Sequence, residues 1–269
     1  MELGLEGKVA LVTGGSRGIG KGIALGLAQE GCDVSICSRD EDVLKAAAKE
    51  IADETGRDIA PFKADLMKTE DADAMVAATM AHFGRIDILV NNAGAAPGGV
   101  LEFLTDEHWE QAIGLKFMGY VRVTRAVMPN MQKAGSGRVV NVIGNDGIKH
   151  SYWEVAPGAA NAAGQNFTMS LSAQYAKDGI TFVAVNPGPV RTERWDGLVQ
   201  AMARDMKIPY EQADTLAPRS IPLGRIAEVE EVADIVTFLA SDRAHFINGT
   251  MIEIDGGQQK PLMDMFRDN

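Results

Sequence analysis

Glycine, serine and arginine side by side, directly after a short apolar run, form a combination that can hold a phosphate group. The segment reads Thr13-Gly14-Gly15-Ser16-Arg17-Gly18-Ile19-Gly20, and residues with helical spacing follow at once. Glycines permit a tight turn and let backbone N–H groups approach a pyrophosphate, while the amino end of a helix adds partial positive charge. The pattern therefore predicts a dinucleotide-binding turn. Its expected contacts are Gly14, Ser16, Arg17, Gly18, Ile19 and Gly20.

The end of the second apolar run decides which dinucleotide is expected. An acidic residue there would bind the 2′-hydroxyl of the adenine ribose and repel a 2′-phosphate. This chain has Cys37, Ser38 and Arg39 instead, with Asp40 one position late. Arg39 can pair with a phosphate, Ser38 can donate to it, and Arg17 can reach the same group. The sequence predicts NADP(H) in preference to NAD; the alternative is an arginine that only faces solvent.

Seven short apolar runs, separated by segments with helical spacing, must position this turn. Each run is rich in valine and isoleucine and ends in a polar or glycine-rich turn, which is typical of strands covered on both faces. They read KVALVTGG, DVSICSR, IAPFKAD, IDILVNNAG, RVVNVIG, TFVAVNPG and TMIEIDGG. The repeated strand–helix–strand order predicts an α/β fold, namely a Rossmann-type, doubly wound parallel sheet of seven strands with helices on both faces.

Length and composition limit the possible organisation. A chain of 269 residues fits one domain, residues 1–269, and the long stretch at about 190–222 is expected to be a substrate lid. The net charge of −11 argues against the basic surface that a nucleic-acid partner requires. No apolar run is long enough to cross a bilayer and no signal segment is recognisable, so we expect a cytoplasmic protein. Two cysteines and four scattered histidines predict no metal site.

Five motifs in order carry a resemblance to a known family. They are TGGSRGIG at 13–20, Asp65-Leu66, Asn91-Asn92-Ala93-Gly94, Asn186-Pro187-Gly188-Pro189-Val190-Arg191-Thr192 and Asp255-Gly256-Gly257. With them the chain, from about residue 5 to 258, resembles the short-chain dehydrogenase/reductase family. The resemblance implies further cofactor contacts: Asp65 and Leu66 at the adenine, Asn91, Ala93 and Gly94 beneath its ribose, and Pro187, Gly188, Val190 and Thr192 at the nicotinamide carboxamide.

The same resemblance places the catalytic positions, and there the chain departs from the family. Members use an asparagine, a serine, a tyrosine and a lysine, and the tyrosine hydroxyl passes a proton during hydride transfer. Aligned without gaps, these positions fall on Lys116, Gly144, Pro157 and Asn161. Because asparagine and lysine have exchanged places, we expect the ammonium group to have moved across one pocket, with Lys116 and Asn161 as site residues. The alternative is two unrelated substitutions in an inactive pocket.

A replacement for the missing tyrosine is expected in the loop 149–154, which should cross the mouth of the pocket. Tyr152 could donate the proton, with Lys116 or Lys149 lowering its pKa, and His150 could also transfer protons near neutral pH. Tyr152 could equally be a packing or substrate-contact residue. The sequence thus predicts an NADP-dependent oxidoreductase acting on a carbonyl or secondary alcohol, with a non-standard proton relay through Lys116, Tyr152 and Asn161. The alternatives are an inactive NADP-binding subunit or regulator, and a non-redox lyase or isomerase on the same fold.

The substrate and the assembly are less closely defined. Apolar residues at helical spacing within 195–206 predict a segment that covers a small molecule with apolar or acyl-like character, although a surface helix fits equally well. Arg191, Arg194 and Arg204 could meet a carboxylate or a phosphate of coenzyme A. The resemblance also implies a homo-oligomer, a dimer or more commonly a tetramer.

Overall fold

The computed structural model describes residues 1–259 apart from the side chain of Asp205, so residues 260–269 of the predicted domain lie outside the described part. Its strands are β1 (Val9–Thr13), β2 (Asp33–Ser38), β3 (Ile59–Lys63), β4 (Ile88–Asn91), β5 (Gly137–Val142), β6 (Ile180–Pro187) and β7 (Thr250–Ile254). They form one sheet in the order β3-β2-β1-β4-β5-β6-β7, and every neighbouring pair is parallel. The predicted fold class is confirmed, and each apolar run contributes one strand.

Helices cover both faces of this sheet. They are α1 (Gly18–Gln29), α2 (Glu41–Thr55), α3 (Thr69–Phe83), α4 (Asp106–Gln111), α5 (Met118–Ala134), α6 (Val155–Tyr175), α7 (Glu193–Met206), α8 (Tyr210–Leu216) and α9 (Val229–Ala240). A π-helical turn, Ala112–Phe117, joins α4 to α5. In the part of the chain that is described, no helix combines the length and apolar character needed to span a membrane.

Successive strand residues point into two different apolar cores. On one face, Val12 of β1 packs with Ile23 and Leu27 of α1, and residues of α2 and α9 complete the layer. On the other face, Leu11 of β1 packs with residues of α3 and with Val127 of α5. Because β1, β4 and β6 are buried on both faces, they need no polar alternation, which explains their continuous apolar runs, whereas the edge strand β7 is partly exposed.

The stretch at 190–222 is mostly helical, in agreement with the helical spacing of apolar residues within 195–206. It contains α7 and α8 and a short 3-10 helix at Ala217–Ser220. Trp195, Val199 and Met202 recur at the spacing of one helical face and are buried against Ala213 and Ile221. We call these five residues the lid cluster. This separate apolar cluster gives the stretch its order.

A buried arginine fixes the amino ends of β5 and β6. Arg138 is only 6% exposed, and its guanidinium donates to the Thr181 hydroxyl at 2.6 Å and to the backbone carbonyls of Ala244 (2.5 Å), Ile247 (3.2 Å) and Leu239. Burial lowers the pKa of Arg138 to about 10, still far above neutral pH. The charge is therefore retained, and it ties both strands to the segment that follows α9.

Candidate active site

A cavity of about 850 Å³ opens at the carboxyl ends of β1, β2, β4, β5 and β6. From β1 the sheet extends to β2 and β3 on one side, and from β4 it extends to β5, β6 and β7 on the other, so the strand order reverses between β1 and β4. Doubly wound sheets bind their ligands in the crevice beyond the carboxyl ends of the strands at such a reversal. The cavity thus occupies the position that the fold makes available for a cofactor, and its volume is typical of small-molecule sites.

The turn between β1 and α1 forms one part of the cavity wall. The Thr13 hydroxyl accepts hydrogen bonds from the backbone N–H groups of Asn92 and Ala93 at 2.9 and 3.0 Å, which holds the turn against the end of β4. A Cβ on Gly20 would overlap the carbonyl oxygen of Gly14, so only glycine fits at this close approach. The first turn of α1 carries no acidic residue. This end of the cavity therefore fits a pyrophosphate.

Two arginines beside the end of β2 lie in different electrostatic settings. Arg39 is exposed, lines the cavity and has no ion pair within residues 1–259. Arg17 pairs with Glu193, the first residue of α7, at 3.2 Å and lies 4.0 Å from Asp40. Asp40 itself caps α2 by accepting from the Val43 N–H at 3.2 Å. Arg39 is thus available to a phosphate. Arg17 instead links the glycine turn to the amino end of α7.

Most of the predicted cofactor residues line this cavity, namely Gly14, Ser16, Arg17, Gly18, Ile19, Gly20, Ser38, Arg39, Leu66, Ala93, Gly94, Pro187, Gly188, Val190 and Thr192. Asp65 and Asn91 are not part of the wall. The Asp65 carboxylate accepts from the nearby Met67 N–H at 3.1 Å. Asn91 is fully buried and donates to Thr124 at 3.0 Å and to Asn141 at 2.8 Å. Asn91 therefore braces β4 against β5 behind the cavity wall.

Lys116 lies in the wall on the π-helical turn between α4 and α5. Its stem passes Gly94, where a Cβ would come within 3.0 Å of the Lys116 Cγ, and its ammonium forms no hydrogen bond or ion pair with the described residues. Burial lowers the pKa of Lys116; the Asp146 carboxylate acts in the opposite direction, Arg194 lowers it further, and Glu154 raises it. An ammonium in this setting can donate a proton to a ligand oxygen.

A hydrogen-bonded pair of side chains, one of them fully buried, shapes the wall at Gly144. Asn161 of α6 is fully buried, and its amide donates to the carboxylate of Asp146. Gly144 has a φ of 140°, and a Cβ there would lie 2.6 Å from the Asn161 Nδ2 and 2.8 Å from an Asp146 oxygen. A side chain at position 144 and the Asn161–Asp146 pair therefore exclude each other. Pro157, in the first turn of α6, lines the same cavity without a hydroxyl.

A second polar network clamps the loop after β5 to the end of β7. Asn145 donates to Asp255 at 3.2 Å and to Gln258 at 2.8 Å, and the Lys149 ammonium pairs with the same Asp255 carboxylate. Burial alone would raise the pKa of Asp255, but hydrogen bonds from Lys149 and Asn145 bring it below its usual value. Lys149 therefore forms its ion pair with Asp255, whereas the sequence suggested that it could lower the pKa of Tyr152.

The structure places two of the predicted catalytic residues outside the cavity wall. Tyr152 is half-buried and packs against the lid cluster, while Trp153 and Glu154, which follow it, line the cavity. Asn161 lies behind the wall with Asp146 in front of it. Asp146 was not singled out from the sequence, although it follows the carboxyl end of β5, and such positions line ligand sites in parallel sheets.

Helix α7 contributes apolar and cationic groups to the cavity. Trp195, Leu198 and Ala201 of α7 line it. The indole N–H of Trp195 donates to Asp214 at 2.9 Å, which fixes α7 to α8. Arg194 also lines the cavity and donates to the carbonyl of Ala96 at 3.3 Å. This part of the wall suits a ligand with an apolar body.

Comparison with known proteins shows similarity along nearly the whole chain. A family model described as short chain dehydrogenase matches residues 8–203. The chain is 33% identical over 253 residues to a 3-oxoacyl-acyl-carrier-protein reductase of Chlamydia muridarum, covering 94% of this chain and 98% of that protein. It is 36% identical over 251 residues to an acetoacetyl-CoA reductase of Shinella zoogloeoides, covering 93% and 98%.

Two solved structures have the same architecture. An L-sorbose reductase from Gluconobacter frateurii, complexed with NADPH and L-sorbose, is similar with a TM-score of 0.91 and 32% identity, covering 97% of this chain and all of that one. A variant of an actinorhodin polyketide ketoreductase with NADPH also has a TM-score of 0.91 and 32% identity, covering 94% and 97%. The likeness includes the strands whose carboxyl ends form the cavity.

Proposed function

Because the chain belongs to the short-chain dehydrogenase family, we propose that it is an NADP-dependent oxidoreductase with a proton relay centred on Lys116, which acts on a carbonyl or secondary alcohol. The similar proteins named above are reductases, and two of the similar structures contain NADPH. NADP(H) is therefore assigned as the cofactor, as the sequence predicts. The observation that carries the relay is the Lys116 ammonium in the wall of the cofactor cavity, which has no hydrogen bond or ion pair within residues 1–259.

The residues present fit this cofactor. The glycine turn, in which a Cβ at Gly20 would collide with the Gly14 carbonyl, would hold the pyrophosphate. Arg39, which has no ion pair within residues 1–259, would hold the 2′-phosphate together with Ser38. When bound, NADPH supplies the hydride. Asp65 and Asn91, for which the resemblance implies direct contacts, stay predictions in that role.

The relay is inferred from the residues at the positions where the resemblance implies a catalytic serine and tyrosine. Gly144 and Pro157 provide no hydroxyl, so the serine and tyrosine roles need other groups. Lys116 lines the cavity, and burial lowers its pKa, so that it releases a proton more readily than a free lysine. As the carbonyl carbon is reduced, negative charge would develop on the carbonyl oxygen, and the Lys116 ammonium would donate its proton to that oxygen. Lysine is left neutral and regains its proton from water.

The lid and the assembly complete the proposal. The segment 190–222, with the lid cluster at its centre, covers the substrate and limits the access of water to the reacting carbon. The whole chain acts as one domain, and it assembles as a homo-oligomer. The substrate has an apolar or acyl-like part that contacts Trp195 and Leu198.

Steady-state kinetics of Lys116→Met test the relay. The enzyme is assayed for NADPH oxidation with 3-oxoacyl thioesters, ketoses and aryl ketones, beside Tyr152→Phe and the matched control Lys133→Met on the exposed end of α5. Removing a general acid lowers turnover by roughly 100-fold or more. We expect that loss in Lys116→Met with almost unchanged NADPH binding, and wild-type activity in the control.

Four outcomes would contradict the proposal in different ways. Full activity in Lys116→Met refutes the relay, and a loss confined to Tyr152→Phe assigns the proton to the tyrosine instead. Tight NADPH binding without oxidation by any carbonyl compound indicates the inactive binding subunit. A change in substrate without a change in nicotinamide absorbance indicates the lyase or isomerase.

A further inference from the structure

Asp146 is the acidic group that the cavity wall holds in place by a buried partner. It follows β5 in a short 3-10 turn, Asn145–Gly147, and its carboxylate accepts from the amide of Asn161, a residue with no solvent exposure. The Asn161 Oδ1 has no partner within the described residues. A buried asparagine with one unpartnered oxygen costs folding free energy, and the hydrogen bond from its amide to Asp146 offsets part of that cost while it fixes the position of the carboxylate.

The backbone is built around this pair. Gly144 has a φ of 140°, and a Cβ on it would lie 2.8 Å from the Asp146 carboxylate. Any larger residue at 144 would displace Asp146 or Asn161. The glycine therefore keeps the carboxylate at the surface of the cavity that Lys116 also lines.

Several charged groups share this surface, and they differ in how they are engaged. Lys149 is paired with Asp255 at the end of β7, and Arg194 of α7 donates to the carbonyl of Ala96. Glu154 also lines the cavity, just before α6. Lys116, with no hydrogen bond to the described residues, is the cation of this wall that a neighbouring carboxylate can influence most.

We propose that Asp146, fixed by Asn161 in the wall of the cavity that Lys116 also lines, is a positioning residue that keeps Lys116 in its ammonium form. The proposal rests on the proposed function of Lys116 for its catalytic meaning, but the coupling between the two side chains stands without it. After Lys116 has given its proton, the carboxylate favours the return of a proton from water to the amine. Lys116 on the π-helical turn and Asn161 on α6 have exchanged residue types relative to the family pattern. Asp146, after β5, is the third residue of this group.

Electrostatics determines whether the pKa of Lys116 rises or falls when Asp146 is replaced. A carboxylate favours the charged form of a neighbouring lysine and opposes the effect of burial at Lys116. Replacing Asp146 by asparagine removes that support, so Lys116 loses its proton at lower pH. An opposite charge close to an ionisable group shifts its pKa by about one unit or more. We expect the alkaline limb of the reduction profile to move down by about one pH unit in Asp146→Asn.

Competitive labelling measures the coupling without turnover. Trace acetic anhydride acetylates the neutral amine, and mass spectrometry of the Lys116 peptide at a series of pH values gives its titration curve. Asp146→Asn should shift this curve to lower pH by about one unit. Asp146→Glu should restore most of the wild-type curve, and the exposed control Asp73→Asn on α3 should leave it unchanged.

The outcomes separate this proposal from the proposed function. A Lys116 labelling curve that is the same in wild type and Asp146→Asn overturns the inference, whatever the activity. A shifted curve together with full activity in Lys116→Met supports the coupling and overturns the relay. Thermal unfolding checks that the variants fold, and Asp146→Ser, with a smaller side chain and no charge, provides the same test if the asparagine variant does not.

Discussion

Replacing Arg39 by alanine should weaken the binding of NADPH and leave that of NADH unchanged. Arg39 lines the cavity and has no ion pair within residues 1–259, so its removal disturbs no contact of the free protein. A hydrogen bond to a charged group contributes about 1.5–3 kcal/mol, and the exposure of Arg39 places its contribution near the lower end. A loss of about 1.5–2 kcal/mol raises the Kd for NADPH roughly 10- to 30-fold.

Titration by nicotinamide fluorescence at two salt concentrations measures both dissociation constants. Arg219→Ala, which removes an exposed arginine outside the cavity, is the matched control. The difference between NADPH and NADH should shrink as salt increases, because the contact is solvent-exposed. Equal weakening of the two dinucleotides, or no weakening of NADPH, would refute the assignment of the 2′-phosphate to Arg39.

Three further substitutions test features outside the relay. In Gly20→Ala the new methyl group collides with the Gly14 carbonyl, so the rise in Tm on adding NADPH should disappear; a normal rise would refute the close approach. Arg138→Met removes the donor of four hydrogen bonds, and the free energy of unfolding, measured with urea, should fall by about 3 kcal/mol; a change below about 1 kcal/mol would argue against a stabilising role for the buried guanidinium. Glu193→Gln releases Arg17 from its exposed ion pair and should tighten NADPH binding about two- to fivefold at low salt, an effect that high salt should remove; weaker binding would contradict it.

The sheet and the cofactor end of the cavity are predictable from the sequence because their signals are local. Strands buried on both faces require continuous apolar runs, and Leu11 and Val12 show why, since they enter opposite cores. The glycine turn is equally local: its function depends on backbone geometry within eight consecutive residues. In the stretch at 190–222 the helical spacing within 195–206 indicates α7, but its packing becomes clear only through the burial of Trp195 and Val199 in the lid cluster.

The chemistry of the nicotinamide end depends on contacts between distant residues. Asp146 meets Asn161 across fifteen positions, and Lys149 meets Asp255 across more than a hundred, which no spacing rule reveals. Tyr152 lies in the loop that the sequence indicates, but its position against α7 depends on how that helix packs. The sequence therefore predicts which elements surround the site more reliably than which side chains face it.

The close packing of Asn161 and Asp146 around Gly144 has a consequence for engineering this enzyme. A serine at 144 would collide with both Asn161 and Asp146, so a side chain cannot be added at this position unless one of these two residues moves. Changes at these three positions should be strongly non-additive. An engineered side chain at 144 therefore requires compensating replacements at 146 and 161 in the same variant.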